Sequence, residues 1–246
     1  MWDRSRREAT CPVCASTGVP PALDTSSLSP SAAGGSAQNE ADRRRRAREN
    51  RVRAKLKHLG GVMLAITDEP QSTTAWSRGA EGERRLGAGL DRLAGEGVRV
   101  MHDRRRPGTR ANIDHLVVAM SGIWIIDAKL YAGRIERRDV GGWFSSDARL
   151  FVNGRDRTSL LDGLGAQRAA IVNALETIDA TDVPVHTALC FVDGDWSLFA
   201  KPFELQGHIV AWPKALYPRI VGAGALQPDR QLEVLAALER QLPPAA

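Results

Sequence analysis

Residues 112–129 read NIDHLVVAMSGIWIIDAK and give the clearest structural pattern in the sequence. Residues 112–119 and 123–129 are rich in β-branched and other apolar side chains, and the three residues between them are typical of a tight turn. The segment therefore predicts a β-hairpin. Its second half is apolar on both faces through Ile126, which is the pattern of a central, buried strand.

Three charged residues share one face of this hairpin: Asp114, Asp127 and Lys129. A two-residue turn at Met120-Ser121 pairs position 114 with 127, and one at Ser121-Gly122 pairs it with 129. Both registers keep the three side chains on one face, because side chains alternate along a strand. A three-residue loop without a compensating bulge would separate them.

Two carboxylates opposed in an antiparallel pair have Cβ atoms ~4.5–5.5 Å apart. In a half-buried place, Asp114 and Asp127 would repel each other and lose hydration. A divalent cation with oxygen ligands relieves both costs. The alternative is that Lys129 neutralises the acids as a structural ion cluster.

Helical and strand patterns surround the hairpin on both sides. Their order predicts an α/β or α+β sheet sandwiched by helices. The predicted helices cover residues 79–95, 159–178 and 230–241, and the predicted strands cover residues 98–102, 143–152, 185–192 and 208–212.

Composition divides the chain into three parts. Residues 1–40 are predicted to be a disordered tail, since Ser, Pro and Gly supply 14 of the 40. Residues 41–75 are predicted to be a basic arm or helix with a linker, and residues 76–246 the folded domain. Residues 1–58 hold 12 Lys and Arg against 6 Asp and Glu, while residues 59–246 hold 22 against 23. The excess positive charge therefore belongs to the tail and arm.

Composition also indicates where in the cell the protein would lie and which metal sites its cysteines could form. No apolar run approaches the ~18 residues of a membrane span, and the first 30 residues have no apolar core of a secretion signal. Three cysteines are too few for a disulfide framework, which favours a reducing cytoplasm. Cys11 and Cys14 form a single CxxC motif, whereas a structural zinc takes four ligands, so only a degenerate or intermolecular half-site remains. Cys190 is predicted to be a small core residue.

Two polar residues occupy positions that the helical pattern directs toward the core. Glu83 lies on the same helix face as Leu86 and Leu90, although a first-turn glutamate favoured by the helix dipole is the alternative. Gln167 lies in the middle of the apolar stripe of its helix, where a structural hydrogen-bonding role is the alternative.

Taken in order, these segments resemble the nuclease-related domain (NERD) family across roughly residues 76–195. The resemblance implies a restriction-endonuclease-like fold, an α/β mixed β-sheet flanked by helices, with a PD-(D/E)XK metal site. It rests on Gly79-Ala80-Glu81-Gly82-Glu83, on residues 112–118 and 122–129, on Gly133 and on Gln167-Arg168-Ala169-Ala170.

The resemblance also implies roles for individual residues. Asp114 and Asp127 would bind Mg²⁺ or Mn²⁺ with Glu83 as the acid from a helix, and Lys129 would orient or activate water. Gln167 would be an accessory polar group near the substrate. Asp127 stands where this family commonly has glutamate, so its carboxylate reaches about one methylene less.

The implied activity is metal-assisted hydrolysis of phosphodiester bonds in nucleic acid, with DNA the expected substrate and DNA processing or repair the expected setting. Arg104, Arg105, Arg106 and Arg110 precede Asp114 and are candidates for phosphate contacts, with a solvated turn as the alternative. Two other classes of function fit the sequence: a non-catalytic nucleic-acid-binding module of the same fold, and an interaction scaffold that uses the tail and arm. The sequence leaves the oligomeric state open.

Overall fold

The computed structural model describes residues 71–95, 97–109 and 111–245, together with the single positions 33, 35, 39, 42 and 43. Over residues 71–77 only the backbone is described. Cys11, Cys14 and Arg110 lie outside the described residues, as does nearly all of the predicted tail and arm.

From residue 71 the chain alternates helices with short strands. The elements are α1 (Gln71–Asp91), β1 (Val98–Arg105), β2 (Asn112–Ala119), β3 (Gly122–Lys129), β4 (Ile135–Asp139), β5 (Ala148–Val152), β6 (Arg155–Asp156), a 3₁₀ helix (Thr158–Leu161), α2 (Asp162–Glu176), β7 (Val185–Phe191), β8 (Phe203–Leu205), β9 (His208–Ala211), α3 (Pro213–Ile220) and α4 (Pro228–Gln241). None of the helices within these described ranges is long and apolar enough to cross a membrane.

Six strands form a mixed sheet in the order β1-β2-β3-β7-β9-β8. The pairs β3–β7 and β7–β9 are parallel, and the other neighbours are antiparallel. β3 therefore lies inside the sheet with a partner on each side, as its apolar sequence predicts. A smaller antiparallel sheet, β4-β5-β6, follows β3 in the chain.

Helices cover both faces of the main sheet, which confirms the predicted α/β fold class. Leu116 and Ile125 pack in one core with the apolar residues of α2 and α4. Val117 and Ile126, the next residues along each strand, pack in a second core with α1 and α3. The two cores follow from side-chain alternation along two strands that are buried on both faces.

The register of the β2–β3 hairpin is the first of the two predicted alternatives. Ala119 pairs with Gly122 and His115 with Ile126, so the turn consists of Met120-Ser121. Gly122 has φ +121°, and a Cβ atom there would lie 2.5 Å from the carbonyl oxygen of Pro184. Only glycine fits this position. One further step of the same register sets position 114 opposite position 127.

The structure differs from the predicted elements in several places. β1 continues to Arg105 instead of ending at residue 102, and α1 covers Gln71–Asp91 instead of residues 79–95. Trp143 lies in a turn, so the predicted strand over residues 143–152 is wrong at its start. The sequence pattern does not predict β8 and α3, because they are short and α3 contains Pro218.

Candidate active site

The end of β3 brings an acidic and a basic side chain together. Asp127 is buried and Lys129 is half-buried, two residues further along the strand. The Nζ atom of Lys129 donates a hydrogen bond to Oδ1 of Asp127. This ion pair lies where a buried strand leaves the core, so neither charged group is fully surrounded by apolar side chains.

Asp114 adds a second carboxylate from the neighbouring strand. Its Oδ2 atom accepts a hydrogen bond from the backbone N–H of Ala128 at 3.3 Å, which holds the carboxylate beside the end of β3. Burial and the nearby carboxylates of Asp127 and Glu83 raise the pKa of Asp114 well above its ordinary value. Asp114 and Asp127, which lie opposite each other on adjacent strands, therefore also repel each other.

Glu83 reaches the same region from α1. The helix passes close to the end of β3: a Cβ atom on Gly82 would lie 3.0 Å from the Cβ atom of Leu130. Burial raises the pKa of Glu83 to about 7, and the carboxylates of Asp103 and Asp127 add to the rise against the opposing effect of Lys129. Glu83 is thus a third acid within electrostatic reach of the β2–β3 pair.

Lys129 is the basic residue that the acids share. Burial alone would lower the pKa of its ammonium group, but the carboxylates of Asp127 and Asp114 outweigh burial and leave the pKa above its ordinary value. Lys129 is therefore protonated at neutral pH. In that state it can donate hydrogen bonds and stabilise negative charge, and it cannot accept a proton from water.

The donor set suits a small divalent cation bound by two carboxylates. Among the described residues, no three His, Cys, Asp or Glu side chains are arranged to hold a metal ion between them. Asp114 and Asp127 oppose each other with excess negative charge, and Mg²⁺ commonly takes one or two carboxylates and completes its shell with water and substrate phosphate. The two strand acids fit that pattern, with Glu83 at its edge.

Asp103 is an acid of this region that the sequence pattern does not single out. It is buried on β1 between His102 and Arg104, which pair with β2, and the register sets it opposite Asp114. Its φ of +49° marks a local break in the strand, and its Oδ1 accepts a hydrogen bond from Nδ2 of Asn112 at 3.0 Å. The only sequence signal is that β1 could continue past residue 102.

The arginines before β2 differ from one another in exposure. Arg104 is buried, and its Nη1 atom donates to the carbonyl oxygen of Leu242 at 3.4 Å, so it does not lie on the surface where a phosphate contact was predicted. Arg105 is exposed and Arg106 half-buried, and both line an open cleft of about 450 Å³ that Pro243 also borders. These two remain available for phosphate contacts.

Gln167 lies on α2, which packs against β3 and β7. It is buried, and its Oε1 atom has no hydrogen-bond partner among the described residues. A structural role would leave that acceptor satisfied, because an unpaired buried polar group costs ~1–3 kcal/mol. The Oε1 atom of Gln167 is therefore an acceptor that a bound group can use.

His115 points away from the acids, as predicted, and is fully buried. It belongs to a hydrogen-bonded chain in which Nδ1 of His115 and Nδ1 of His102 are 2.8 Å apart and Nε2 of His102 is 2.9 Å from Oδ1 of Asp91. Burial, together with His102, lowers the pKa of His115 well below its ordinary value, so it stays neutral. Cys190 is likewise buried, as predicted for a core residue.

Comparison with known proteins finds a match to a family model. Residues 78–192 match the model of the family described as nuclease-related domain, NERD, which confirms the resemblance drawn from the residues. The matched range contains α1 from residue 78 onward and every strand through β7, and so all five residues proposed for the site. No curated protein and no solved structure gives a significant match to the chain.

Proposed function

We propose that the chain is a metal-dependent nuclease, because residues 78–192 match the nuclease-related domain family, a family of the PD-(D/E)XK kind. It would hydrolyse phosphodiester bonds in nucleic acid, with DNA as the substrate and DNA processing or repair as the setting. One observation carries the proposal: Asp114 and Asp127 oppose each other on adjacent strands beside a protonated Lys129.

In this proposal Asp114 and Asp127 hold a Mg²⁺ or Mn²⁺ ion, with Glu83 beside them. Such an ion, when bound, polarises the scissile phosphate and acidifies a water molecule. The ammonium group of Lys129 orients the attacking water and stabilises the charge that develops on the phosphate. The side-chain carbonyl oxygen of Gln167 accepts a hydrogen bond near the substrate.

Nucleic acid would be held mainly through its phosphates. Arg105 and Arg106 supply sequence-independent contacts beside the β1–β2 connection, and the N-terminal 58 residues add a net charge of +6. We also propose a cytoplasmic location, which is supported by the small number of cysteines and by the free, buried thiol of Cys190.

A second candidate function is a nucleic-acid-binding module of the same fold without turnover. The ion pair between Lys129 and Asp127 favours it, because this pair already neutralises one of the two acids that a cation would need. Cleavage assays separate the two candidates.

The test is the nicking of supercoiled plasmid by the full chain, with Mg²⁺ or Mn²⁺ and with EDTA. We expect cleavage that requires the metal and is lost in Asp114→Ala and in Asp127→Ala. Asp193→Ala is the matched control, since Asp193 is an exposed acid just after β7 that pairs with Arg85. Binding without cleavage by the wild-type protein under every metal condition would establish the second candidate instead.

A further inference from the structure

The connection between β4 and β5 presents two aromatic side chains to solvent. Trp143 is 99% exposed and Phe144 103% exposed. They occupy the two central positions of a β-turn that closes with a hydrogen bond from the N–H of Ser145 to the carbonyl oxygen of Gly142 at 3.2 Å. Turn centres ordinarily carry Gly, Pro, Asn or Asp. Two adjacent exposed rings at such a position indicate a binding surface.

The aromatic turn, residues 139–147, is held in one shape by its own hydrogen bonds. Oδ1 of Asp139 accepts from the N–H of Gly141 at 2.9 Å and from that of Asp147 at 2.8 Å, and Oδ2 accepts from the hydroxyl of Ser146. A Cβ atom on Gly141 would lie 2.0 Å from the carbonyl oxygen of Ser145, so the close approach needs glycine. The two rings are therefore presented by an organised loop, which lowers the entropy cost of binding.

This aromatic turn projects from the edge of the sheet that carries the candidate site. β4 follows β3 after five residues, and β3 and β7 are parallel, so the segments after both strands leave the same edge. The N–H of Ile135 donates to the carbonyl oxygen of Asp195 at 3.0 Å, which fastens the base of the β4–β5 hairpin to the segment after β7. At ~3.3 Å per residue, the turn stands on the order of 20 Å beyond that base.

The charge around the aromatic turn suits an anionic partner. Residues 134–158 hold six arginines against four acids, although residues 59–246 as a whole are slightly acidic. Arg137 and Arg138 lie on β4. Arg138 forms an ion pair with Glu136, and its guanidinium lies 4.6 Å from the ring centre of Phe151. Proteins bind single-stranded nucleic acid through aromatic rings on which bases stack, together with basic side chains that contact the backbone.

We propose that the aromatic turn is a base-stacking site for unpaired nucleotides. Trp143 and Phe144 would stack on exposed bases, the arginines of β4 would contact the flanking phosphates, and the nucleic-acid strand would run from there toward Asp114 and Asp127. The inference rests on the proposed nuclease function for what happens at the acids, and it names the substrate class: nucleic acid with a single-stranded segment. Stacking itself does not depend on turnover.

The test measures binding of the full chain, in EDTA, to a fluorescently labelled single-stranded oligodeoxynucleotide and to its duplex. We expect the double variant Trp143→Leu with Phe144→Leu, which keeps the apolar surface and removes the rings, to bind the single strand about tenfold or more weaker. Trp143→Phe with Phe144→Tyr keeps both rings and should bind nearly as the wild type does. Val221→Ala is the control, since Val221 is 52% exposed at the end of α3.

Tryptophan fluorescence tests the stacking directly, without relying on the affinities measured for the variants. Base stacking quenches the emission of an exposed tryptophan, so the single strand should quench wild-type fluorescence, and Trp143→Phe should remove that quenching although five other tryptophans remain. Equal single-strand binding by the wild type and the double leucine variant would overturn the proposal. A Trp143 emission that changes with anionic vesicles but not with DNA would also overturn it. A third contrary result would be a wild-type dimer that becomes a monomer in the double variant Trp143→Ser with Phe144→Ser.

These results also separate the stacking proposal from the nuclease proposal. If the wild type cleaves with Mg²⁺ and the leucine variant still binds normally, the stacking proposal alone fails. If the single strand quenches Trp143 but no metal supports cleavage, the nuclease proposal alone fails and the stacking site stands.

Discussion

Lys129 forms its ion pair with Asp127, two residues before it on the same strand, and not with the facing acid Asp114. Asp114 is held by the backbone N–H of Ala128 instead, and its pKa is raised although a lysine lies nearby. The two strand acids are therefore unequal: one has a cationic partner, and the other carries repulsion that a bound cation would relieve.

This inequality predicts opposite effects of two conservative substitutions on stability without metal. Asp114→Asn keeps an oxygen acceptor for the N–H of Ala128 and removes a repelling charge, so the free energy of unfolding in EDTA should stay unchanged or rise by about 1 kcal/mol. Asp127→Asn leaves the half-buried ammonium group of Lys129 without its partner and should cost about 1–3 kcal/mol. Chemical denaturation of both variants in EDTA measures the difference.

The effect of Mg²⁺ on thermal stability is a second prediction from the same inequality. Added Mg²⁺ should raise the melting temperature of the wild type, because a ligand that binds the folded state stabilises it, and should do nothing for Asp114→Asn. An Asp114→Asn protein clearly less stable than wild type in EDTA would contradict the metal site, and Asp193→Asn controls for the removal of an acid from the same edge.

The raised pKa of Glu83 predicts how stability varies with pH. Its pKa is about 7 in the folded protein and ordinary when unfolded, so the folded state binds more protons between these values and stability falls as pH rises through this interval. Glu83→Gln should become more stable than the wild type across that interval, by on the order of 1–3 kcal/mol at its upper end, and the difference should level off above about pH 7. Unfolding in EDTA at a series of pH values measures it, and a constant difference would contradict the assignment.

Cleavage by variants of the three central residues should not be additive. Asp114→Ala, Asp127→Ala and Lys129→Ala should each abolish metal-dependent nicking, and the triple variant should be no worse than any one of them, because the three groups act as a unit. Robust turnover by Lys129→Ala would rule out the role proposed for its ammonium group, whatever the two acids do.

Removal of residues 1–58 should weaken nucleic-acid binding and flatten its dependence on salt. This segment has a net charge of +6 and the remainder −1, and the log–log slope on duplex DNA falls by ~0.9 for each phosphate that is no longer neutralised. Metal-dependent turnover should persist at low salt, since the proposed site lies in the remainder. An unchanged slope would assign the basic segment to another partner.

Gly122, which follows the hairpin turn, provides a test of how the β2–β3 hairpin is stabilised. Gly122→Ala places a Cβ atom 2.5 Å from the Pro184 carbonyl at a φ of +121° and should destabilise the protein by about 2 kcal/mol or more. Gly207→Ala is the matched control, because Gly207 has φ +78° and nothing within 4 Å of the added atom; it should cost about 1 kcal/mol. Similar losses of stability for both variants would show that the close approach to Pro184 does not matter.

Much of the fold and of the site could be predicted from local pattern. The hairpin of residues 112–129, the buried strand ending in Asp127 and the core-facing positions of Glu83 and Gln167 all follow from side-chain periodicity and turn chemistry. These features depend on residues near each other in the chain, and such patterns persist whatever the tertiary context. The acids and the lysine of the candidate site could therefore be proposed from the sequence.

Other features depend on contacts between distant segments and could not be read from the local sequence. The hairpin turn at Met120-Ser121, where the carbonyl oxygen of Met120 accepts from the N–H of Leu226, has two residues and so gives one of the two predicted registers. The pairing of β1 with β2 sets Asp103, an acid at a break in its strand, opposite Asp114. The charged neighbours of Arg104 predict a surface loop, yet Arg104 is buried and donates a hydrogen bond to the carbonyl oxygen of Leu242 at the end of α4.

The position of Trp143 depends on hydrogen bonds within its own loop. Its β-propensity predicts a strand, but the side chain of Asp139 holds residues 139–147 in a turn. Local sequence determined which side chains could do chemistry in this protein, whereas long-range packing decided which of them meet, because burial and partners are properties of the folded whole.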